Sequence, residues 1–199
     1  MTEIIIHRVN KISELNKINP KYGIEIDVRA HGSKLILNHE PYRKGDLLDD
    51  YLDNYKHGTL ILNVKESGIE YDIIKKLKNK KLREYFLLDV EFPFIYHSLK
   101  DHYKNFSLRF SEFESLSLTK KLIGKVNWVW IDTFTKLPIK KSNINILKKF
   151  RTCLVCPERW GRPHDINKMI KMLSELNYYP NAVMTSKKYI KQWEAISNL

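Results

Sequence analysis

The sequence predicts an α/β protein folded as a single, compact (β/α)8 TIM barrel over residues 1–199. Short apolar runs rich in Ile, Val, Leu and Phe recur eight times, and helix-like stretches lie between most of them. Alternating strands and helices favour a parallel sheet. Eight repeats without a linker favour closure into a barrel at the lower edge of that fold's size range. A doubly wound open sheet is the alternative.

The individual elements are predicted from the spacing of apolar residues. Runs of β-branched and aromatic residues predict strands at 3–8, 23–29, 59–65, 85–91, 106–111, 128–132, 153–158 and 181–186. Amphipathic spacing predicts helices at 11–18, 46–55, 71–82, 143–150 and 166–176. The link between the fifth and sixth runs gives only a weak helix signal.

Composition excludes several classes of protein. No apolar stretch approaches the roughly 20 residues that span a bilayer, and the first residues lack the apolar region of a signal peptide. We therefore expect a cytoplasmic protein with no transmembrane segment. The formal net charge is +12, but the lysines are dispersed and no nucleic-acid recognition motif occurs, so we expect no nucleic-acid partner. The oligomeric state is unknown from the sequence.

The two cysteines, Cys153 and Cys156, have the C-x-x-C spacing of some zinc and redox sites. They lie in an apolar strand, where odd spacing places them on opposite faces. No second pair completes a zinc site. We therefore expect both to be buried, reduced, apolar residues.

Polar side chains fall at the carboxyl ends of seven of the eight predicted strands. Parallel barrels place their active sites at this mouth. Because a buried charge costs several kcal/mol unless it is paired, the pattern predicts a functional site. The polar residues at the later strand ends are expected to line the mouth and bind substrate. The alternative is that they form ion pairs with each other. These residues are Asp89, Glu91, Arg109, Asp132 and Glu158.

Glu25 and Asp27 form the predicted metal site. They are two residues apart in a strand and therefore share one face. Two hard oxygen ligands suit Mg²⁺ or Ca²⁺, and Asn63 adds a neutral carbonyl oxygen. An ion pair with Lys65 or Arg109 is the alternative.

His7 and His39 are the predicted general acid and base, because imidazole titrates near neutral pH. Arg8 and Lys65 are the predicted phosphate contacts. If side chains alternated strictly along the strand, Arg8 would point to the opposite face from His7. Phosphate contact by Arg8 therefore requires the alternation to end at the end of the strand. Together these groups predict cleavage of a phosphodiester.

The motifs resemble the glycerophosphodiester phosphodiesterase family, within the phosphatidylinositol-specific phospholipase C-like barrels. That family carries His-Arg after its first strand, Glu-x-Asp on its second, a His-Asp pair further on, and Glu-x-Lys on its third. The matching stretches here are HRV, EIDV, the segment that ends in His39-Glu40, and NVK.

The resemblance implies a metal-dependent phosphodiester hydrolase. Its divalent metal would be held by Glu25 and Asp27, its acid–base pair would be His7 and His39, and Arg8 and Lys65 would contact phosphate. Its substrate would be a glycerophosphodiester, or a related glycerol or sugar phosphodiester, as a small molecule or a polymer unit.

The sequence departs from the family pattern at several positions. Val9 replaces a glycine, Glu40 replaces the aspartate of the His-Asp pair, and Asn63 replaces a metal-binding glutamate. A Glu-Asn motif after the first strand and an insertion between the second and third are missing. The lost carboxylate should weaken metal binding.

Two other functions remain open. A catalytically degenerate barrel would bind a phosphorylated ligand at Arg8, Lys65 and Arg109 without turnover. A barrel aldolase or isomerase would use Lys65 as a Schiff-base nucleophile.

Overall fold

The computed structural model describes residues 1–198. Leu199, the last residue of the predicted domain, lies outside the described residues. The ten strands are β1 (Glu3–Ile6), β2 (Gly23–His31), β3 (Lys34–Leu37), β4 (Asp46–Leu47), β5 (Leu60–Val64), β6 (Tyr85–Leu88), β7 (Ser107–Phe110), β8 (Trp128–Ile131), β9 (Arg151–Val155) and β10 (Ala182–Thr185). The α-helices are α1 (Ile12–Leu15), α2 (Leu48–Asn54), α3 (Glu70–Asn79), α4 (Phe92–Ser98), α5 (Ser117–Lys121), α6 (Lys141–Leu147), α7 (Ile166–Glu175) and α8 (Ile190–Glu194).

Eight strands form a curled parallel sheet, and each contains residues of one predicted run. β1 pairs with both β2 and β10, so the first and last parallel strands are neighbours. From β2 the sheet continues through β5 to β6, and from β10 it continues through β9 and β8 to β7. β6 and β7 meet at a single parallel bridge between Leu87 and Phe106. The α/β class and the eight strands are therefore confirmed, and the consecutive order differs from a doubly wound sheet.

An antiparallel hairpin extends β2 beyond the parallel sheet. β3 pairs with the second half of β2, and β4 pairs with β3. The predicted helix at 46–55 therefore begins as a short strand and becomes helical only at Leu48. Gly45 is required here, because a Cβ atom would lie 2.1 Å from the carbonyl oxygen of Leu37. The loop between β3 and β4 carries His39, one of the two histidines predicted to be catalytic.

The short helices differ most from the prediction, both in their length and in whether they were predicted at all. α1 covers four residues of the predicted 11–18, whereas α7 matches its prediction closely. α4 and α8 were not predicted, although Pro93 in the first turn of α4 is a typical start signal. None of the helices in the described chain is long and apolar enough to cross a membrane.

The apolar core forms three clusters, one inside the curled sheet and two between the sheet and its helices. The inner cluster consists of Ile5, Ile61, Phe86, Leu88, Trp128, Trp130, Cys153, Val155, Ala182 and Met184. Cys156 belongs to an outer cluster, so the prediction of opposite faces for the two cysteines is confirmed. Both thiols are buried and free. Burial raises the pKa of each, which keeps them protonated.

The Glu3 side chain connects two strands at the amino-terminal end of the parallel sheet. Its carboxylate accepts hydrogen bonds from the backbone N–H of Thr59 at 2.6 Å and from the Thr59 hydroxyl at 2.6 Å. Gly23 and Gly58 leave space for it, since a Cβ at either position would lie within 3 Å of a Glu3 oxygen. This charge-assisted contact ties β1 to the start of β5.

Replacement of Glu3 by Ala should destabilise the protein by about 2–3 kcal/mol, because it leaves two buried donors of Thr59 without an acceptor. Urea unfolding followed by circular dichroism measures this loss. Glu175→Ala, at an exposed position at the end of α7, is the control and should change stability by less than about 0.5 kcal/mol. Equal unfolding midpoints for the two variants would contradict the role of Glu3.

Candidate active site

Three polar side chains lie close together on the neighbouring strands β2 and β5. Asp27 is in register with Asn63 on the neighbouring strand, and Glu25 precedes Asp27 on the same face of β2. Glu25 and Asp27 are each only 1% exposed. Two carboxylates in this position need compensating donors or cations, and the surrounding residues supply them.

Glu25 is held by one backbone and one side-chain donor. The backbone N–H of Arg8 donates to Oε2 at 2.7 Å, and the Asn63 amide nitrogen lies 3.3 Å from Oε1. The Nε2 atom of His7 lies 3.8 Å from Oε2. Burial, followed by the negative charge of Asp27, raises the pKa of Glu25 to about 7.

Asp27 is surrounded by cations and amides. The Lys65 ammonium lies 3.1 Å from Oδ1, and the Nε of Arg8 lies 3.5 Å from Oδ2. The Asn10 side chain donates to Oδ2 at 2.8 Å and accepts the backbone N–H of Asp27 at 2.8 Å. The ion pair between Asp27 and Lys65, considered as an alternative to metal binding, is therefore present. Arg109, the other cation considered as a partner of Asp27, forms its ion pairs with Asp89 and Asp132.

The backbone at Arg8 explains how it joins the site. Its φ angle is +54°, in the left-handed region that few non-glycine residues adopt. The strand alternation of β1 has ended here. The Arg8 side chain consequently reaches Asp27 while its own N–H reaches Glu25. Both contacts favour this strained conformation.

His7 lies among positive charges. Burial is the main cause that lowers its pKa to about 3, and the charges of Arg159 and Arg8 lower it further. The imidazole is therefore neutral at physiological pH. A neutral imidazole has a free lone pair for a proton, but a pKa of about 3 makes it a weak base at neutral pH. A phosphate bound beside Arg8 would offset the neighbouring positive charge and raise this pKa.

His39 lies in the loop between β3 and β4. Its Nδ1 is 2.6 Å from a carboxylate oxygen of Glu40, so a His-Glu pair takes the place of the family's His-Asp pair. This hydrogen bond lowers the pKa of Glu40 and keeps it ionised. The Arg29 guanidinium donates to the His39 carbonyl oxygen at 3.0 and 3.1 Å, which fixes the loop.

A cleft of about 620 Å³ joins His39 to Arg8. Its walls come from the β1–α1 connection and from the hairpin loop, and most of the residues that line it have polar side chains. Asn10, Lys11, Asn38 and Lys44 contribute hydrogen-bonding groups. The structure therefore brings His39 to the same side of the mouth as Arg8.

Arg159 is a cation near the site that the sequence analysis did not identify. Its side chain is exposed, and its charge acts on His7, Glu25 and Asp27. Partial burial, followed by the charge of Arg8, lowers its pKa. Arg159 lies in a short helical turn after β9 (Pro157–Trp160), beyond the point where strand alternation predicts direction. Its position directly after Glu158 at a strand end was the available signal.

The neighbouring Glu158 has a structural contact with the last strand. One oxygen accepts the Thr185 hydroxyl at 2.5 Å and the Ser186 N–H at 3.2 Å. The other oxygen is buried and has no hydrogen-bond partner in the described part of the chain. Glu158 thus links the turn that carries Arg159 to the end of β10.

The predicted substrate residues on the other side of the mouth pair with each other. The Arg109 guanidinium lies between Asp89, at 2.6 Å, and Asp132. Burial raises the pKa of Asp132 to about 6, against the opposite pull of Arg109. This arrangement matches the alternative of mutual ion pairing. Glu91 is exposed, and no side-chain hydrogen bond or ion pair involves it within residues 1–198.

A divalent cation fits the oxygen atoms beside β2 and β5, although the site is weaker than three carboxylates. The described residues contain no group of three His, Cys, Asp or Glu side chains able to hold a metal. However, the Oδ1 atom of Asn63 is buried and has no hydrogen-bond partner there. This oxygen lies next to Glu25 and Asp27, and all three donors are of the hard type that Mg²⁺ and Ca²⁺ prefer.

Comparison with known proteins identifies the fold. No protein-family model matches the sequence, and no curated protein matches it either. Among solved structures, a phosphodiesterase from Oleispira antarctica in complex with the product sn-glycerol-3-phosphate is similar, with a TM-score of 0.69 and 13% identity over 100% of this chain and 98% of that one. A glycerophosphodiester phosphodiesterase from Agrobacterium tumefaciens str. C58 has a TM-score of 0.63 and 11% identity, with both chains covered completely. The chain therefore shares the fold of glycerophosphodiester phosphodiesterases, which agrees with the resemblance of its motifs.

The low pKa of His7 predicts a pH dependence of stability. Between pH 6.5 and about 3 the unfolded chain binds a proton at this residue that the folded protein excludes. Stability should therefore fall as the pH falls through this window, and His7 contributes up to about 1.4 kcal/mol per pH unit. In His7→Gln this contribution should disappear, as measured by urea unfolding at pH 6.5, 5.5 and 4.5. His164→Gln, at an exposed position, is the control, and equal slopes in both variants would show that His7 is protonated in the folded protein.

Proposed function

We propose that this protein hydrolyses a phosphodiester, with His7 and His39 as the acid–base pair. The observation that carries the proposal is a buried carboxylate pair in contact with the cations Arg8 and Lys65 and with a neutral imidazole. Because burial raises the pKa of Glu25 to about 7, this carboxylate is partly protonated near neutral pH, and the two cations then exceed the negative charge of the pair and attract an anion. The shared fold supports the same chemistry, because the structural neighbours are phosphodiesterases.

The cations hold the phosphate. Arg8 presents a planar guanidinium that is able to bind two phosphoryl oxygens at once, and Lys65 adds a second point of positive charge. Both lie against Asp27, which fixes their positions before substrate binds. Fixed cations stabilise the additional negative charge that develops on the phosphoryl oxygens in the transition state.

The two histidines have different surroundings and therefore different roles. His7 is neutral and accepts the proton of the attacking hydroxyl, which is either water or a neighbouring hydroxyl of the substrate. His39 is oriented by Glu40 through Nδ1, and in its imidazolium form it donates the proton on Nε2 to the departing alcohol and becomes neutral. The new phosphorus–oxygen bond replaces the bond to that alcohol, and each proton has a defined acceptor.

Glu25, Asp27 and Asn63 are the residues that would hold Mg²⁺ or Ca²⁺. A bound divalent ion would add positive charge near the phosphoryl oxygens. Around it, Asn10 keeps Asp27 in place, and the Arg8 N–H keeps Glu25 in place.

The cleft beside His39 is the proposed site of the leaving group. Its amide and ammonium groups, from Asn10, Asn38, Lys11 and Lys44, suit an alcohol rich in hydroxyl groups. Glycerol or a sugar has this chemistry, and the Oleispira antarctica protein binds sn-glycerol-3-phosphate. The substrate is therefore proposed to be a glycerophosphodiester or a related glycerol or sugar phosphodiester. On the opposite wall, the paired Arg109, Asp89 and Asp132 would contact its other end.

Two structural proposals accompany the function. The bridge between β6 and β7 supports closure of the sheet into a complete barrel that forms one domain over residues 1–199. The protonated, unpaired thiols of Cys153 and Cys156 suit the reducing conditions of the cytoplasm.

One observation favours a second function, the binding of a phosphorylated ligand without turnover. Asn63 supplies no negative charge where the family pattern has a carboxylate, while the cations remain. Two functional histidines are not needed for binding alone, which is why hydrolysis ranks first.

Hydrolysis is tested with chelated protein, glycerophosphodiesters and an aryl phosphodiester, with and without added Mg²⁺, Ca²⁺ or Mn²⁺. Wild-type protein should release product, and His7→Ala and His39→Ala should each lower kcat by at least about a hundredfold. His164→Ala, at an exposed position, is the matched control. Thermal stabilisation of the wild type by glycerol phosphate without product formation would instead support the binding function, and full activity in His7→Ala would contradict the site.

Metal binding is tested separately from activity. Asn63→Glu restores a third carboxylate beside Glu25 and Asp27, so it should tighten the binding of Mg²⁺ or Ca²⁺ by about tenfold or more in isothermal titration calorimetry. Asn63→Gln controls for side-chain length without a charge and should not tighten it. Unchanged affinity in Asn63→Glu would show that this position does not face a cation.

A further inference from the structure

Exposed aromatic side chains are concentrated at the mouth of the curled sheet. Three rings form a continuous ridge across the loops that follow β7, β8 and β9. Phe134 lies between the other two, with its ring centroid 6.0 Å from that of Phe113 and 4.4 Å from that of Trp160. Phe113 is 75% exposed and Trp160 is 40% exposed. Phe113 is therefore largely exposed to water, Trp160 is exposed in part, and Phe134 between them is partly buried.

Two further loops at the same end carry exposed rings. Tyr42, in the loop between β3 and β4, is 99% exposed, and Phe92, after β6, is 44% exposed. At the opposite end of the sheet, Tyr179 precedes β10 and is 38% exposed. Because loops after parallel strands meet at one edge, Phe92 lies at the same mouth as the ridge. The loop with Tyr42 follows an antiparallel strand, but its residue Lys44 lines the cleft beside Arg8, so it reaches the same mouth.

Exposed cations lie in these same loops. Arg43 and Lys44 follow Tyr42, Lys136 follows Phe134 by two residues, and Lys187 and Lys188 follow β10. These five exposed cations outnumber the three exposed carboxylates at this edge, which are Glu40, Asp89 and Glu91, while Glu112 and Glu114 beside Phe113 are only partly exposed. The whole chain carries a net charge of +12. Aromatic rings surrounded by Lys and Arg are the combination that binds the interface of an anionic membrane.

We propose that the mouth of this protein docks on the surface of an anionic lipid bilayer through the ridge Phe113–Phe134–Trp160 and the surrounding cations. Tryptophan and phenylalanine rings enter the boundary between headgroups and acyl chains. Lys and Arg side chains contact the anionic headgroups. Docking in this orientation turns His7 and Arg8 toward the headgroup layer, where phosphodiesters are concentrated.

The membrane is favoured over a soluble anionic polymer because of the exposed rings. Charge alone would suffice to bind a polymer of glycerol phosphate, whereas a ridge with a ring 75% exposed gains little from such a ligand. The docking does not depend on the proposed hydrolysis, since it concerns loops outside the carboxylate pair.

Tryptophan fluorescence gives a specific measurement. Of the four tryptophans, Trp128, Trp130 and Trp193 are buried, and Trp160 is exposed. Insertion of the ridge should shift the emission of Trp160 to shorter wavelength. Brominated acyl chains should quench this emission in vesicles, and Trp160→Ser should lose the quenched component.

The decisive experiment is sedimentation of the full chain with vesicles, without substrate. Vesicles of equal parts phosphatidylcholine and phosphatidylglycerol should bind wild type more than about tenfold better than phosphatidylcholine alone. Phe113→Ser combined with Trp160→Ser should reduce binding by about tenfold or more, while Tyr179→Ser, at the other end, should bind like wild type. Thermal unfolding verifies that each variant is folded.

The proposal is overturned if wild type stays in the supernatant with both vesicle types, or if Tyr179→Ser loses as much binding as the double variant. It is also overturned if a soluble glycerol-phosphate polymer binds wild type and anionic vesicles do not. Because no substrate or metal is added, a protein that fails to hydrolyse phosphodiesters is still able to meet this test, and the two proposals fail independently.

Discussion

The arrangement of the site depends on two carboxylates buried side by side within a parallel sheet. Glu25 and Asp27 share one face of β2 and are almost completely removed from water. Each would cost several kcal/mol without compensation. The compensation comes from different parts of the chain: the Arg8 backbone and Asn63 for Glu25, and Lys65, Arg8 and Asn10 for Asp27. The left-handed backbone conformation at Arg8 allows this residue to compensate both carboxylates, Glu25 through its N–H and Asp27 through its side chain.

The same electrostatic balance prepares the site for an anion. Burial raises the pKa of Glu25 to about 7, which moves its titration toward neutral pH, and Arg159 and Arg8 contribute to keeping His7 unprotonated. Positive charge therefore comes from residues that hold it permanently, Arg and Lys. His7 stays neutral until a bound phosphate offsets these cations and raises its pKa. The division between fixed charges and a titratable group allows one pocket both to bind a phosphate and to move protons around it.

The sequence predicts those parts of the structure that repeat locally. Alternation of apolar residues located the eight parallel strands, and the spacing of Glu25 and Asp27 placed both on one face. Prediction failed where the secondary structure or the direction of a side chain depends on backbone geometry or on residues distant in the sequence. The hairpin was missed because Asp46 and Leu47 resemble the start of the helix that follows them. Arg159 was missed because it follows β9 in a helical turn, and it approaches His7 from the far end of the chain. The pairing of Arg109 with Asp89 and Asp132 was foreseen only as an alternative.

The pairing of β1 with β10 and the single bridge between β6 and β7 determine where the chain could be cut and rejoined. β1 pairs with β10, so the two ends of the described chain lie close together, whereas β6 and β7 are connected by one bridge. One outer core cluster belongs mainly to the segment before this junction and the other mainly to the segment after it. The outer core is therefore divided into two parts at the β6–β7 connection, while the inner cluster joins residues from both sides. A circularly permuted chain, with its original ends linked and new ends in the exposed segment near Lys100, would keep each part intact.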